Sequence, residues 1–296
     1  MRQAVGRASP DAIVHMAALV PPLAYVNPEL AREVNINGTR HLLDAAAALD
    51  RAPKTVYTSS YSVYGPRNPH RDLALLTGDT PVAPGDNYAC HKIAGERLVR
   101  ESGLPWTILR LSGVMPLGGN QMQQPSGMRY LFLLPQERRQ HGIDARDAGL
   151  AIAKAVEAQT GGQVLMVAGG KEWQWIAGEF FATMFETIGF GSLPESAFRQ
   201  ADPEVDASWY YEDWVDATAS EEMLQYQRHS PADYFQALKQ QMGYRRALVR
   251  ILAPVLRRQL VRLSPYYDQP TQCDARTHWE VACEAFGIDP ALHVPG

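Results

Sequence analysis

Short runs rich in β-branched and aromatic residues alternate with segments of helical periodicity through the first two-thirds of the chain, the pattern of parallel β-α-β units. Residues 11–17 predict a strand, and residues 28–49 a helix with Leu30, Val34, Leu42, Leu43 and Ala46 near one face. A strand over 54–59 precedes a loop rich in Pro, Gly and Asp that runs to Asn87. The next helix extends to about Ser102, with Gly103 placed to stop it. Strands follow at 105–111 and 163–168, with a helix at 145–158 between them. Residues 116–128 suggest a surface loop, and 130–134 and 140–143 suggest short strands.

After Gly170 helical patterns dominate: 173–188, 216–228, 230–242, 244–263 with a break at Pro254, and 277–286. Ser230, Pro231 and Asp233 give one of these an N-cap, a first-position proline and an early acid. The expected organisation is an α/β domain with a parallel sheet over 1–170, with 116–140 inserted as part of the second lobe, and a smaller, mostly helical lobe over 171–296.

Composition fits a soluble globular chain of 296 residues, 46% apolar and 20% charged. A net charge of −4 gives no electrostatic case for nucleic acid. Cys90, Cys273 and Cys283 are scattered, so neither a disulfide framework nor a metal site is expected, and a reducing cytoplasm is the default. The apolar run at 12–20 is interrupted by His15 and ended by Pro21-Pro22, which favours a buried strand over a signal peptide. Residues 244–267 hold six arginines and no acid. A basic amphipathic helix can lie on a membrane. Pro254 and the spread of the arginines favour instead a helix packed on the lobe with a basic rim.

The candidate chemistry centres on Tyr88 and Lys92, four residues apart and so on one helical face, with Ser59-Ser60 upstream at the end of a strand. A cation beside a phenol favours the phenolate, which suits proton transfer on an alcohol. The same spacing also describes an ordinary exposed helix pair. Cys90 is either a redox thiol or small filler, and His15 and His91 are assigned no chemistry. Of Arg129, Arg138, Arg139 and Arg146, only Arg146 is favoured as a contact for a substrate anion, the others as loop-stabilising. Trp173, Trp175, Trp209, Tyr210, Tyr211 and Trp214 suggest lobe core.

Several segments in one order resemble the extended short-chain dehydrogenase/reductases, the epimerase/dehydratase family. They are Asp11-Ala12-Ile13-Val14-His15-Met16-Ala17-Ala18, Val34-Asn35-Ile36-Asn37-Gly38-Thr39, and Ser59-Ser60-Tyr61-Ser62-Val63-Tyr64-Gly65. Tyr88 with Lys92, Leu109-Arg110 and Ile143-Asp144-Ala145-Arg146-Asp147-Ala148 complete the set. The resemblance implies an NAD- or NADP-dependent enzyme working on a secondary alcohol or ketone of a sugar nucleotide or other hydroxylated small molecule. It implies Tyr88 as general acid/base, Lys92 as its modulator and ribose ligand, and Ser60 on the reacting oxygen. Ala17, Ala18, Asn35, Ser59, Leu111, Gly113 and Val114 would border the cofactor, and Arg146 and Tyr64 the substrate. A homodimer is also implied. Tyr61 and Ser62 stand where some dehydratases of the family carry acids, which argues against dehydration, and Leu111 replaces the family's proline.

The resemblance further implies that 1–170 is an incomplete dinucleotide-binding domain, a partial Rossmann-like parallel sheet with 116–140 inserted from the substrate lobe, and that 171–296 is the helical substrate-binding lobe. One departure is large. No G-x-G-x-x-G or G-x-x-G-x-x-G occurs, and the nearest pair, Gly189 and Gly191, lies in the helical lobe. Residues 1–10 lead into what resembles the family's fourth strand, so about three strands and two helices of the dinucleotide fold are expected to be missing. Either the chain is a truncated form, or it is a short relative that has lost cofactor binding and serves as a binding or scaffold protein. The sheet is expected to expose an apolar edge.

Overall fold

The computed structural model describes residues 1–118, 125–269 and 273–290. Helix α1 (Arg2–Ala8) precedes strand β1 (Ala12–His15), after which come α2 (Leu23–Val26) and α3 (Pro28–Arg32). A π-turn over Glu33–Asn37 joins α3 to α4 (Gly38–Ala47). Strand β2 (Lys54–Ser60), α5 (Asn87–Glu101), β3 (Trp106–Leu111) and β4 (Gly113–Met115) follow, then α6 (Pro125–Phe132), β5 (Arg139–Asp144), α7 (Ala145–Glu157) and β6 (Gln163–Val167). The chain ends through β7 (Gln174–Ile176), α8 (Ala177–Thr187), α9 (Thr218–Leu224), α10 (Pro231–Met242), α11 (Arg245–Val261) and α12 (His278–Phe286).

Strands β1-β2-β3-β6 form one wholly parallel sheet in that order. Alternate residues of a strand face opposite ways, and both faces here are covered. Val56, Leu109 and Leu165 meet Ala148, Ala151 and Ile152 of α7. On the other face Tyr57 and Ile108 meet Leu43 and Ala46 of α4 and Val99 of α5. Gly95 lets α5 approach β2, since a Cβ there would lie 2.1 Å from the Tyr57 hydroxyl. Gly103, at φ 72°, turns the chain out of the same helix. A second sheet has the order β4-β5-β7, with β4 parallel and β7 antiparallel to β5. Among the described residues strand β1 pairs only with β2, and Val14 within it and Met16 just after it are exposed, as expected of an uncovered edge.

Four expectations are corrected. Residues 130–134 are not a strand: Tyr130–Phe132 end helix α6, which also takes 125–128 out of the expected loop, and residues 119–124 of that loop lie outside the described residues. The apolar run Tyr130–Leu134 is buried on all sides, and such a run carries no periodicity that separates strand from helix. The helix expected over 173–188 begins only at Ala177, because Gln174–Ile176 pair with β5. The inner face of residues 28–49 holds Ala31, Asn35, Thr39, Leu43 and Ala46, while Leu30 is exposed. The π-turn adds a residue, so Leu43 and Ala46 keep the buried face while Leu30, before the turn, leaves it. Helix α11 runs unbroken through Pro254. The Ser230 N-cap forms as expected, and Asp233 completes a capping box with it.

Candidate active site

Strand β2 ends at Ser60, which caps the one-turn 3-10 helix Tyr61–Tyr64, its Oγ accepting from the Ser62 amide at 3.2 Å and the Ser62 hydroxyl at 2.9 Å. Helix α5 starts opposite, where the Asp86 carboxylate accepts the Ala89 amide at 2.7 Å. This cap places Tyr88 in the first turn and Lys92 one turn later. Lys92 is buried, its Nζ donating to the Thr58 carbonyl at 2.7 Å while standing 5.1 Å from the centre of the Tyr57 ring and 5.7 Å from that of Tyr88. Tyr88, half-buried, shares a side-chain hydrogen bond with Ser60. Tyr88, Lys92 and Ser60 therefore converge at the carboxyl end of β2.

Burial raises the Tyr88 pKa well above the usual phenol value, the Ser60 hydrogen bond opposes this, and the Asp86 charge adds to it. Burial lowers Lys92 to about 8, against the pull of Glu96. The expected lowering of the phenol by its cation is thus outweighed by desolvation, and the resting side chain is a neutral proton donor. Burial, then the Asp86 charge, raises Cys90 to about 11, so it stays a thiol and acts as filler.

Ala17 and Ala18 follow β1 at the same end of the sheet. Buried Asn35, inside the π-turn, holds the backbone beyond them: its Oδ1 accepts the Leu19 amide at 2.8 Å and its Nδ2 donates to the Leu19 carbonyl at 2.9 Å. Leu111 lies level with Ser60 on the adjacent strand. Gly113 follows, where a Cβ would lie 3.3 Å from the Tyr61 hydroxyl and crowd it, and Val114 is exposed.

Three expected positions are held elsewhere. The Ser59 hydroxyl donates to Glu96 at 2.6 Å, and Glu96 accepts the fork of Arg110 at 2.9 and 2.8 Å. Tyr64 is buried in this network, accepting from Arg110 at 2.8 Å and donating to the Thr77 carbonyl at 2.6 Å. Arg146 is exposed and forks on Asp144 at 2.8 and 2.7 Å at the start of α7. Arg138, read as a loop arginine, is instead buried and ion-paired to Glu212 at 2.9 Å, 5.6 Å from the centre of the Tyr210 ring.

A further group beside Tyr88 escaped the sequence reading. Tyr25 donates to Asp86, whose carboxyl is raised to about 6 by burial despite the Ala89 and Tyr25 hydrogen bonds. Tyr130 and Tyr210 share a hydrogen bond at 2.9 Å, and His278 of α12 reaches the Tyr130 hydroxyl at 3.2 Å. Tyr88 and Tyr210 pack against this cluster with Trp279. Asp86 before a helical run is a legible N-cap signal. The other members are brought together only by the fold.

Comparison with known proteins identifies the family and the fold. The model of the NAD dependent epimerase/dehydratase family matches residues 1–173. D-erythronate dehydrogenase of Cupriavidus necator is 32% identical over 101 residues, a match covering 34% of this chain and 30% of that relative's length. The 3 beta-hydroxysteroid dehydrogenase type 7 of Mus musculus is 30% identical over 146 residues, covering 44% of this chain and 39% of the relative. The matched segments span less than half the length of these two curated relatives. Among solved structures, a dTDP-glucose 4,6-dehydratase from Streptomyces venezuelae with NAD bound superposes with a TM-score of 0.66 at 21% identity, covering 84% of this chain and 78% of that one. UDP-glucuronic acid 4-epimerase from Bacillus cereus, in complex with UDP-glucuronic acid and NAD, gives 0.61 at 20% identity, covering 81% and 76%.

Proposed function

Because the chain belongs to the NAD dependent epimerase/dehydratase family, we propose that it catalyses nicotinamide-linked oxidation, reduction or epimerisation at a secondary alcohol or ketone of a hydroxylated small molecule. The single observation carrying this reading is the convergence of Tyr88, Lys92 and Ser60. Sugar nucleotides are one substrate class and hydroxy acids another, on the strength of the UDP-sugar epimerase and the erythronate dehydrogenase.

The residues fit one end of the cofactor. Lys92 and the backbone at Ala17-Ala18 would hold the ribose, with Asn35 fixing that backbone through Leu19 and with Leu111, Gly113 and Val114 beside the ring. For the pyrophosphate the sequence offers no glycine turn. A bound nicotinamide would supply the hydride donor or acceptor. Tyr88, resting as a phenol, gives its proton to the substrate oxygen in reduction and takes it back in oxidation. Ser60 holds that oxygen by a hydrogen bond. Lys92, anchored on the Thr58 carbonyl, attracts the phenolate as it forms. The segment from Gly170 onward, with α6, would form the substrate lobe, since its Tyr130, Tyr210 and Trp279 pack around Tyr88.

A second reading is favoured by the missing glycine turn: a fold that kept the site and lost its cofactor, serving as a binding or scaffold protein. Screening secondary alcohols, hydroxy acids and nucleotide sugars for a change in nicotinamide absorbance tests the first reading. Turnover that disappears in Tyr88→Phe supports it, and no turnover on any class favours the second.

A further inference from the structure

Helix α11 is attached to the protein by a narrow strip. Of its 17 residues only Ala253 and Val261 are fully buried. Tyr244, Leu248, Ile251, Leu252 and Val255 recur at the spacing of one helical face, and that face points to solvent, each side chain being 53–78% exposed. A continuous exposed stripe of this kind marks an interaction surface. The sequence sets two objections against a membrane-lying helix, and the structure removes both. Pro254 does not interrupt the helix, which runs about 25 Å at 1.5 Å per residue. The arginines need not share a face, because the apolar side chains do.

Charge selects the occupant. Residues 244–263 hold six arginines and no acid, so a second copy stacked on the stripe would bring like charges together. Arg258 and Arg262 lie about one and two turns beyond the stripe and are exposed, placed to reach lipid phosphates from its end. Behind it, Arg246, Arg250 and Arg257 line a cleft of about 410 Å³ against Glu186, Gly189 and Gly191. That cleft lies on the opposite face of the helix, and Arg246 already donates to the Thr187 carbonyl at 2.8 Å, so the cleft anchors the helix on the lobe and leaves the stripe outward. We propose that α11 docks the protein onto an anionic bilayer surface, its apolar stripe entering the interface and Arg258 and Arg262 engaging lipid phosphates. Among the described residues no helix is long and apolar enough to cross a membrane, so the attachment is peripheral. It stands on different residues from the chemistry at Tyr88.

Co-sedimentation of the full chain with vesicles of phosphatidylcholine alone, or with about 30% phosphatidylserine added, tests this. Binding to the anionic vesicles is expected to be at least ~10-fold tighter than to the neutral ones, and to weaken as salt rises. The double variant Ile251→Glu/Val255→Glu should lose at least ~10-fold of that binding, because two aliphatic side chains no longer enter the interface. The triple variant Arg250→Gln/Arg258→Gln/Arg262→Gln keeps the stripe and should lose the anionic preference; it also serves should the double variant misfold, as judged by circular dichroism. Equal binding to both vesicle types, no binding at low salt, or a triple variant that keeps the preference overturns the proposal. So does a folded double variant that binds undiminished. A chain that is dimeric by light scattering and monomeric as the folded double variant also overturns it, since a second copy would then cover the stripe.

Discussion

Lys92 stands over the ring of Tyr88, 5.7 Å from its centre, while its ammonium is tethered to the Thr58 carbonyl at 2.7 Å. The cation is thereby fixed by the strand rather than by the phenol. Tyr88 remains protonated at rest, and its proton leaves only as the substrate oxygen takes it. Tyr88→Phe is expected to lower turnover by ~10²–10⁴-fold, the usual contribution of a positioned acid, with an unchanged melting temperature. Steady-state rates and thermal melting check the two halves of this statement.

The same tether gives a pH dependence. Burial lowers Lys92 to about 8, so the ammonium is present below that pH and lost above it. Turnover that depends on the cation should fall as pH rises through about 8. Lys92→Met should remove this limb together with most of the activity, as a rate profile from pH 6 to 10 would show.

Beneath the site, Glu96 joins Ser59 of β2 to Arg110 of β3 in a buried network. Removing one charge of such a pair leaves the other uncompensated, at about 3–5 kcal/mol. Glu96→Gln should therefore lower stability toward that range in urea unfolding, whereas Arg51→Gln, whose partner Asp11 is exposed like itself, should change it by less than about 1 kcal/mol.

Acid should weaken the fold in a defined window. His15 and His141 are each lowered to about 4, chiefly by burial. Their unfolded forms take up protons below the ordinary histidine value of 6.5 while the folded forms do not, so their stabilisation is complete above that pH and is lost toward 4. Asp86, raised to about 6 by burial, acts the other way, since its folded form binds the proton more readily. Going from pH 7 to 5 should cost about 2 kcal/mol per histidine, with roughly 1 kcal/mol offset by Asp86. Urea titrations at the two pH values measure the net loss, and a His141→Gln variant should show a smaller one.

The parallel sheet was legible because β2, β3 and β6 are short, β-branched and bounded by turn residues, and because Gly103 marks the end of α5. The meeting of Tyr88 and Lys92 followed from their spacing, and that of Ser60 from its motif. Local pattern could not supply what distant segments build. Arg138 and Glu212 are 74 residues apart, Tyr130 and His278 148. Tyr64 and Ser59 look accessible in sequence and are taken up by Arg110 and Glu96. The π-turn around Asn35 leaves no periodicity to read, and β7 is too short to show against the helix that follows.

The central claim is that Tyr88, Lys92 and Ser60 are arranged against a bound nicotinamide ring. Fluorescence titration of the purified chain with NADH and with NADPH tests it whatever the substrate is. The account predicts a saturable change with at least one of them, reduced ~10-fold or more in Lys92→Met. A chain that gives no saturable change with either nucleotide would contradict it.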